Sequence, residues 1–396
     1  MHYVFKIDLI GKGANMKSKP MRVLVTAPLG VGGISSLMIN IQKNMDRDVL
    51  NFDYLTLHDR KEPQEDIVLE MGSNKYVASA DNVKIKPLRF VIRLFQIKKI
   101  CKENNVKVFH NNDGTPKGVL NAIAAKAGGV KYITYHSHNG GTTDMSGFSK
   151  IVNLLCRPLI PLVCDDLWAC STLAAEFTFP SYIVKNKKFH FMPNAIDLER
   201  YRFDSEAREK TRKELGLVGK FVIGHAGRFN KQKNHEFLIE VFEQVYKKDK
   251  DAILVLFGVG ETQNNIRDMV DRLGLKDNVI FFGASNQMNK MYNAMDVFLM
   301  PSIFEGLPVT GIEAQAAGLP IVFSDVITRE VAIAPNIEYI SLKEKKEIWA
   351  DKVLSFKGQE RRDYCEELKK AGFEQAEMVR NFQDYYLKVG SKLNLI

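Results

Sequence analysis

The sequence lacks the features that mark secreted, membrane-spanning and zinc-binding proteins. Its 396 residues hold only five cysteines, an odd number with no C-x-x-C pair, so neither a disulfide framework nor a zinc site is indicated. No apolar run approaches the roughly 18 residues of a spanning helix, and the first residues lack a signal-peptide pattern. We therefore expect a cytoplasmic protein with reduced thiols.

Low-complexity tracts and sequence repeats are also missing, which excludes a disordered or solenoid chain. The composition is globular, with 45% hydrophobic and 26% charged residues. A chain of this length is too long for one ordinary core and fits two domains of roughly 150 to 200 residues each.

The first residues do not join the pattern that follows. Met16 and Met21 both precede a clean apolar strand, and the peptide 11–15 could be a purine-rich ribosome-binding site read as protein or vector-derived sequence. We expect residues 1–20 to be a leader or added segment outside the fold.

From Met21 onward, short β-rich runs alternate with longer amphipathic segments, which predicts parallel sheets with crossover helices. The expected strands of the first series are 21–27, 51–57, 106–110, 131–135 and 167–170. Those of the second series are 221–225, 252–257, 278–282, 297–300 and 320–323. The rhythm breaks between Asn194 and Glu214, so we expect an α/β protein with two Rossmann-like domains, 21–200 and 201–396. The last amphipathic stretch, 374–387, follows no strand, and it could cross back to the first domain.

A glycine-rich turn follows the first expected strand. Gly32 and Gly33 stand where backbone N–H groups at a helix N-terminus could approach a phosphate or a sugar. Ser35 replaces the third glycine of a dinucleotide fingerprint, so a plain tight turn remains an equal interpretation.

A basic loop opens the second domain. Arg228 and Lys233 follow strand 221–225 at its carboxyl end, where two cations could clamp a diphosphate. A solvated basic loop is the alternative.

The segment 301–320 contains the strongest pattern in the sequence. Pro308 suits the first position of a short helix, Gly318 its C-terminal cap, and Pro320 prevents continuation. Glu305 precedes this helix and Glu313 lies inside it, so two carboxylates are expected to face one pocket.

The same segment offers an anion site. The free N–H groups of Gly306, Leu307 and the first helical turn are expected between the two carboxylates. Such a site suits a nucleotide sugar, because the helix dipole takes the diphosphate while the carboxylates accept hydrogen bonds from hydroxyls. An ordinary capped helix is the alternative.

Glu305 and Glu313 form the E-x7-E pattern, and the chain resembles retaining GT-B glycosyltransferases of family four, which act in capsule and exopolysaccharide assembly. The other pieces that agree in order are Gly32-Gly33, 135–139, 193–197, 227–234 and 278–283. The resemblance covers Met21 to about Asp325. It implies two Rossmann-like domains whose parallel sheets face each other across a cleft.

The resemblance also implies roles for the second-domain residues. Glu313 would bind the nucleotide ribose, and Glu305 would bind hydroxyls of the donor sugar. Arg228 and Lys233 would hold the diphosphate, and they would stabilise the leaving group together with the helix N-terminus. The only substrates implied are a nucleotide sugar and a saccharide acceptor, with no cofactor and no metal.

Three first-domain histidines are singled out by the same resemblance. His136 matches the histidine that reaches the donor sugar near the reacting carbon, so it is the expected catalytic partner of Glu305. His138 is its neighbour and competitor on the acceptor side, with a satisfied surface or core histidine as the alternative. His110, at the end of the preceding strand, could also line the acceptor cleft.

Other functions remain to be separated from this one. A nucleotide-sugar epimerase of the same architecture would act without an acceptor, and a catalytically silent nucleotide-sugar sensor would bind without turnover. A nicotinamide dehydrogenase is disfavoured by Ser35. A metal-dependent transferase would use a D-x-D such as Asp46-Arg47-Asp48, which instead reads as a solvated loop. No nucleic-acid-binding module is recognisable.

The positive charge of the chain is confined to its first half. Residues 1–200 hold 27 Lys and Arg against 18 Asp and Glu, whereas residues 201–396 hold 29 of each. The stretch 81–110 carries eight of these cations, with Phe90, Leu94, Ile97 and Ile100 interleaved. We expect peripheral docking on an anionic inner membrane face and a polyprenyl-diphosphate-linked acceptor, although an amphipathic helix packed on the sheet explains the stretch equally well.

Overall fold

The computed structural model describes residues 19–30, 32–139 and 147–396. The expected leader, residues 1–20, lies outside this range except for its last two residues. The described chain forms two parallel β-sheets, each covered by helices, and this confirms the α/β fold with two Rossmann-like domains.

The first sheet has seven parallel strands in the order β3-β2-β1-β4-β5-β6-β7. Their bounds are β1 Met21–Thr26, β2 Leu50–Thr56, β3 Lys75–Val77, β4 Val108–Asp113, β5 Tyr132–Ser137, β6 Asp166–Ala169 and β7 His190–Phe191. Both faces of the central strands are buried: Leu24 packs into one core, whereas Val23 and Val25 pack into the other.

The second sheet has six parallel strands in the order β10-β9-β8-β11-β12-β13. Their bounds are β8 Phe221–Ala226, β9 Ala252–Phe257, β10 Val279–Gly283, β11 Val297–Met300, β12 Ile321–Ser324 and β13 Ile337–Ile340. In both sheets the order reverses beside the first strand of the series, which opens a crevice beyond the carboxyl ends of the strands.

Helices lie between most consecutive strands. The helices before β8 are α1 Gly33–Asn44, α2 Glu65–Glu70, α3 Lys86–Glu103, α4 Val119–Ala127, α5 Gly147–Cys156, α6 Ile160–Val163, α7 Thr172–Thr178, α8 Ser181–Lys185, α9 Leu198–Tyr201 and α10 Ser205–Glu214. The helices after β8 are α11 His235–Lys248, α12 Gln263–Arg272, α13 Met288–Ala294, α14 Val309–Ala316, α15 Lys346–Leu354, α16 Cys365–Lys370 and α17 Gln375–Lys392. Within the described residues, no helix is both long and apolar enough to cross a bilayer.

The last helix, α17, returns to the first sheet. Its residues Phe382 and Tyr386 are fully buried in the core that also contains Phe52 and Trp168. The Gln383 side chain also accepts a hydrogen bond from the backbone N–H of Asp46 at 2.8 Å. The end of the chain therefore completes one face of the first domain.

The loop and helix of the E-x7-E segment follow β11. Pro308 has an extended conformation with ψ of 108°, so it precedes the helix as its N-cap rather than occupying the first helical position. Gly318 adopts φ of 66° just after the helix, the left-handed conformation that favours glycine there. Glu313 therefore projects from the second turn of α14.

Candidate active site

A cavity of about 1190 Å³ lies between the two domains. The first domain lines it with Gly33 and Asn40 of α1, and the second with Thr310 and Glu313 of α14. Arg380 of α17 closes another side. A ligand in this cavity would contact both domains.

Glu313 is held in place by a buried tyrosine. The Tyr292 hydroxyl donates a 2.8 Å hydrogen bond to Oε2 of Glu313, and Tyr292 itself is fully buried. Burial raises the pKa of the Glu313 carboxyl above its ordinary value, although the Tyr292 hydrogen bond opposes the shift. The carboxylate therefore faces the cavity in a fixed orientation.

Glu305 pairs with Lys233 at the other end of the segment. Lys233 Nζ lies 2.7 Å from Oε1 of Glu305, and the Gln232 amide donates to the carbonyl of Phe304 at 3.0 Å. A Cβ placed on Gly227 would lie 3.0 Å from the aliphatic chain of Lys233, so glycine lets that chain pass across the end of β8. Glu313 lines the interdomain cavity, whereas Glu305 does not. In this structure the two carboxylates therefore do not face one pocket, which differs from the expectation based on the sequence.

The two expected phosphate-binding cations occupy different environments. The Lys233 side chain is 15% exposed, whereas that of Arg228 is 71% exposed and lies 3.3 Å from Glu261 at the surface. In this structure Arg228 pairs with Glu261 at the surface. Arg228 and Lys233 therefore do not form the expected clamp for a diphosphate.

The glycine-rich turn of the first domain is open toward solvent. Gly32 is the N-cap of α1 in an extended conformation, and a Cβ added to Gly32 or to Gly33 would have no other protein atom within 4 Å. Ser35 is buried, and its hydroxyl donates to the carbonyl of Pro28 at 2.5 Å. The α1 N-terminus thus leaves room beside the cavity, and the serine fills a structural position.

Gly306 brings the two domains into contact. A Cβ at this position would lie 2.8 Å from the carbonyl oxygen of His138, so only glycine allows the loops to approach this closely. The neighbouring Leu307 side chain is buried in the core, which anchors the loop and fixes its backbone ahead of α14.

The three histidines form one hydrogen-bonded cluster around Asn112. The Asn112 amide nitrogen donates to the carbonyl of Thr26 at 3.0 Å, which turns its oxygen toward the imidazoles. That oxygen lies 2.7 Å from Nε2 of His138 and 3.1 Å from Nε2 of His110. Since an amide oxygen only accepts, both histidines carry their proton on Nε2.

The far side of the cluster is closed by α17. Nδ1 of His110 lies 2.5 Å from the Tyr386 hydroxyl, and Nε2 of His110 lies 3.3 Å from Nδ1 of His136. Burial lowers the pKa of His110 and of His138 to about 3 and that of His136 well below its ordinary value. All three are therefore neutral at physiological pH.

The roles of His110 and His136 stay predictions. His110 is fully buried and His136 is 1% exposed, and neither side chain lines the interdomain cavity. Their side chains point into a core completed by α17. His138 follows β5, is partly buried, and has its backbone carbonyl against Gly306, where the two domains are in contact.

Sequence reasoning missed several residues of the site. Asn112, Gln232, Tyr292 and Tyr386 each hold a side chain that the motifs had singled out. Asn112 lies two residues after His110 and Gln232 directly precedes Lys233, so a local polar signal existed for these two.

Within the described residues, no group of three or more His, Cys, Asp or Glu side chains is placed to hold a metal ion.

The chain is similar in sequence to known glycosyltransferases. Residues 207–375 match the sequence model of the family described as "Glycosyl transferases group 1". The putative glycosyltransferase EpsF of Bacillus subtilis (strain 168) is 29% identical over 381 residues, which cover 94% of this chain and 97% of EpsF. The UDP-Gal:alpha-D-GlcNAc-diphosphoundecaprenol alpha-1,3-galactosyltransferase of Escherichia coli is 27% identical over 249 residues, or 61% of this chain and 63% of that protein.

The fold has solved counterparts. The crystal structure of Anabaena Alr3699/HepE in complex with UDP-glucose superposes with a TM-score of 0.68 at 18% identity, over 95% of this chain and 100% of that chain. The expected GT-B architecture is thereby confirmed. The chain therefore has the two-domain GT-B fold, and residues 207–375 of its second domain are similar to the glycosyl transferases group 1 family.

Proposed function

We propose that the chain is a retaining glycosyltransferase that needs no metal and moves a sugar from a nucleoside diphosphate to a saccharide acceptor. The observation that carries the proposal is the arrangement around α14. Lys233 and Glu305 form a contact of 2.7 Å ahead of this helix, and Glu313 projects from its second turn into the interdomain cavity.

This arrangement suits the parts of a nucleotide sugar. The Glu313 carboxylate, oriented by Tyr292, is the acceptor that a ribose diol needs. The N-terminus of α14 and the Lys233 ammonium supply positive charge for the diphosphate. Glu305 neutralises Lys233 in the free protein and would accept hydrogen bonds from the hydroxyls of the donor sugar.

The chemistry follows from where charge develops. As the bond between the anomeric carbon and the phosphate oxygen breaks, negative charge grows on the diphosphate, where Lys233 and the helix N-terminus stabilise it. The acceptor oxygen forms its bond on the same face, and its proton passes to the departing phosphate oxygen. Arg228 would join the diphosphate only after leaving Glu261.

The neutral His138 completes the site from the first domain. Its Nε2–H is committed to Asn112, so its Nδ1 carries a lone pair that can accept a hydrogen bond from a sugar hydroxyl. His136 lies directly behind it, with the two ring centroids 3.9 Å apart, and supports the ring of His138 rather than touching the sugar.

We further propose that the acceptor is a polyprenyl-diphosphate-linked saccharide of capsule or exopolysaccharide assembly and that the chain works peripherally on the inner face of the membrane. The Escherichia coli relative is named for a diphosphoundecaprenol-linked substrate. The excess of Lys and Arg over residues 1–200 suits a surface that holds anionic lipids.

A nucleotide-sugar screen by thermal shift tests the proposal. A donor present at 100 times its dissociation constant stabilises the fold by about 2.7 kcal/mol, so a specific nucleoside diphosphate sugar should raise the Tm. The binder is then incubated with and without a saccharide acceptor. Acceptor-dependent transfer supports the proposal, whereas an epimer formed without acceptor, or binding without any product, would replace it with an epimerase or a sensor.

A further inference from the structure

Helices α5 and α6 expose an unusual concentration of large apolar side chains. Phe148, Leu154, Leu155 and Leu162 are 75%, 70%, 66% and 74% exposed, and Ile151 is more than half exposed. Phe148, Ile151 and Leu155 are spaced three and four residues apart, so they form one stripe along α5. We call these five side chains the apolar ridge.

The apolar ridge lies on the solvent-exposed side of its helices, and a different set of side chains faces the core. Cys156 and Ile160 on the opposite side are buried against the first sheet, in the same core as Phe109 and Ile133. The helices are thus apolar on both faces, although a helix at a water-exposed surface needs only one apolar face. Clustered exposed apolar side chains of this kind mark an interaction surface.

A second exposed stripe lies on the same side of the domain. Leu88, Val91 and Phe95 of α3 are exposed, whereas Ile97 and Cys101 of the same helix are buried. The sequence-based stripe of Phe90, Leu94, Ile97 and Ile100 faces inward or is half-buried, so the α3 residues that reach solvent are different ones. α4 connects the two surfaces, because it packs against both α3 and α6.

Positive charge predominates in the segment that contains both apolar surfaces. Between residues 84 and 157 the chain has thirteen Lys and Arg but only three Asp and Glu. Nine of the lysines are exposed, namely Lys84, Lys86, Lys98, Lys99, Lys102, Lys117, Lys126, Lys131 and Lys150. This imbalance of ten charges accounts for the whole positive excess of the protein.

The ridge also lies next to the proposed acceptor side. α5 and α6 belong to the connection between β5 and β6, which begins with His138, next to Gly306 of the second domain. The side-chain oxygen of Asn153 in α5 accepts a 3.0 Å hydrogen bond from the backbone of Lys117, just beyond the carboxyl end of β4. The ridge is therefore attached to the end of the first domain that faces the site.

We propose that the apolar ridge of α5 and α6 inserts into the acyl region of an anionic bilayer while the surrounding lysines contact lipid phosphates. The apolar side chains can be buried among acyl chains, and the lysines can attract anionic headgroups. The two features together therefore complement an anionic bilayer. An uncharged protein groove would leave the lysines without partners. A second copy of the chain would bring like charges together.

This assignment deepens the membrane part of the proposed function but does not depend on the transfer reaction. Electrostatic attraction alone is screened over about 8 Å at physiological ionic strength, whereas buried apolar area is not. Binding should therefore weaken with added salt without vanishing, and the ridge should account for the part that remains.

The test uses the full chain and vesicles of phosphatidylglycerol or of phosphatidylcholine. The variant Leu154→Ser/Leu155→Ser is compared with Val218→Ser/Ile348→Ser, a matched control that changes exposed apolar residues of the second domain. We expect the ridge variant to lose about tenfold or more in partition onto phosphatidylglycerol vesicles at high salt, and the control to bind like the wild type. Equal Tm values for the two variants show that folding is unaffected.

Insertion is read out separately from binding. An environment-sensitive dye on Leu155→Cys should shift to the blue on phosphatidylglycerol vesicles, whereas the same dye on Val218→Cys should not; the five native cysteines are buried. Wild-type binding that disappears completely in salt, or an unshifted dye at position 155, would overturn insertion. A wild-type dimer that the ridge variant makes monomeric would assign the ridge to a second copy instead.

A last comparison separates this inference from the enzyme proposal. The ridge variant should transfer sugar normally to a water-soluble acceptor but slowly to an acceptor embedded in vesicles. Loss of transfer to both acceptors would contradict a docking role for the ridge. Absence of transfer by the wild type would instead contradict the proposed function, leaving the vesicle results to stand alone.

Discussion

The two domains use the same architecture with opposite surface chemistry. The second domain has equal numbers of acidic and basic residues, and its site charges are paired, as Lys233 is with Glu305. The first domain carries the entire excess of positive charge, an apolar ridge in solvent, and a buried cluster of neutral histidines. Charge is thus balanced inside the second domain and left unbalanced on the outside of the first.

This difference indicates that the two domains suit different kinds of partner. A charge-paired pocket at a helix N-terminus suits a charged soluble donor, because the ligand exchanges partners with groups that are already oriented. An unpaired basic and apolar exterior suits a partner that is itself an extended anionic surface. The family model matches residues 207–375, which lie in the second domain, where the proposed donor pocket is located.

The largest effect is expected from Lys233→Ala. Removing a preorganised charge that stabilises the leaving group costs on the order of 2.7 to 4 kcal/mol of barrier, or about 100- to 1,000-fold in kcat. Lys220→Ala is the matched control, since Lys220 pairs with Asp251 at 2.8 Å near the opposite end of β8. Arg228→Ala should also slow transfer, but less, because Arg228 is exposed. Turnover within about threefold of the wild type would remove Lys233 from the site.

Glu313→Gln is expected to weaken donor binding. Hydrogen bonds to a charged acceptor contribute about 1.5 to 3 kcal/mol, so the KM for the donor should rise about 10- to 100-fold with a smaller change in kcat. Tyr292→Phe removes only the orienting hydrogen bond and should raise the KM several-fold. An unchanged KM in both variants would place the ribose elsewhere.

The same carboxyl predicts a pH dependence. Because burial raises the pKa of Glu313, its charged form is lost at a higher pH than for an ordinary glutamate. The KM of the wild type should therefore rise as the pH falls toward that pKa, while the KM of Glu313→Gln should stay flat. Parallel pH profiles for the two proteins would show that another group is titrating.

Asn112→Asp is expected to have a smaller effect that depends on pH. A carboxylate at this position would stabilise protonated His138 and His110 and raise their pKa values from about 3. Transfer by the variant should fall below neutral pH, where the wild type should show no histidine titration. Asn111→Asp is the control, since Asn111 lies on the other face of β4 and hydrogen-bonds to Gly118 instead. Identical pH profiles for the two variants would contradict the role of Asn112.

The smallest effect is expected from a chelator. If protein groups alone meet the phosphate charge, transfer should be unchanged in EDTA. If EDTA abolished transfer and Mg²⁺ or Mn²⁺ restored it, the protein groups alone would not be sufficient to stabilise the phosphate charge.

The sequence predicted every central strand and one edge strand, β10, but not the other three edges of the sheets. All ten expected strands are present, and the three that were missed are β3, β7 and β13, which lie at sheet edges and have two to four residues. Edge strands are buried on fewer sides, so they need no continuous apolar run, and the pattern that reveals a central strand is absent.

The site was predictable where its residues are neighbours in sequence. The loop before α14 and the glycine at its C-terminal end follow from local turn and capping chemistry. Tyr386 contacts His110 from 276 residues away, and Tyr292 reaches Glu313 across 21 residues, so no local pattern could pair them. That closure by α17 is also why His136 and His110 are buried rather than exposed to the cleft.

The apolar ridge shows a different limit of sequence reasoning. Residues 147–163 are rich in large apolar side chains, which normally indicates a core helix. Which of two apolar stripes faces the sheet depends on how the helix is rotated against β4 and β5, and periodicity alone does not determine that rotation.

The central claim, that the E-x7-E domain transfers a sugar with retention, is tested most directly by proton NMR of the first product. The donor found by the thermal-shift screen is incubated with the full chain and an acceptor, and the anomeric coupling is recorded before any mutarotation. We expect the product to keep the anomeric configuration of the donor. A product of inverted configuration would contradict the account.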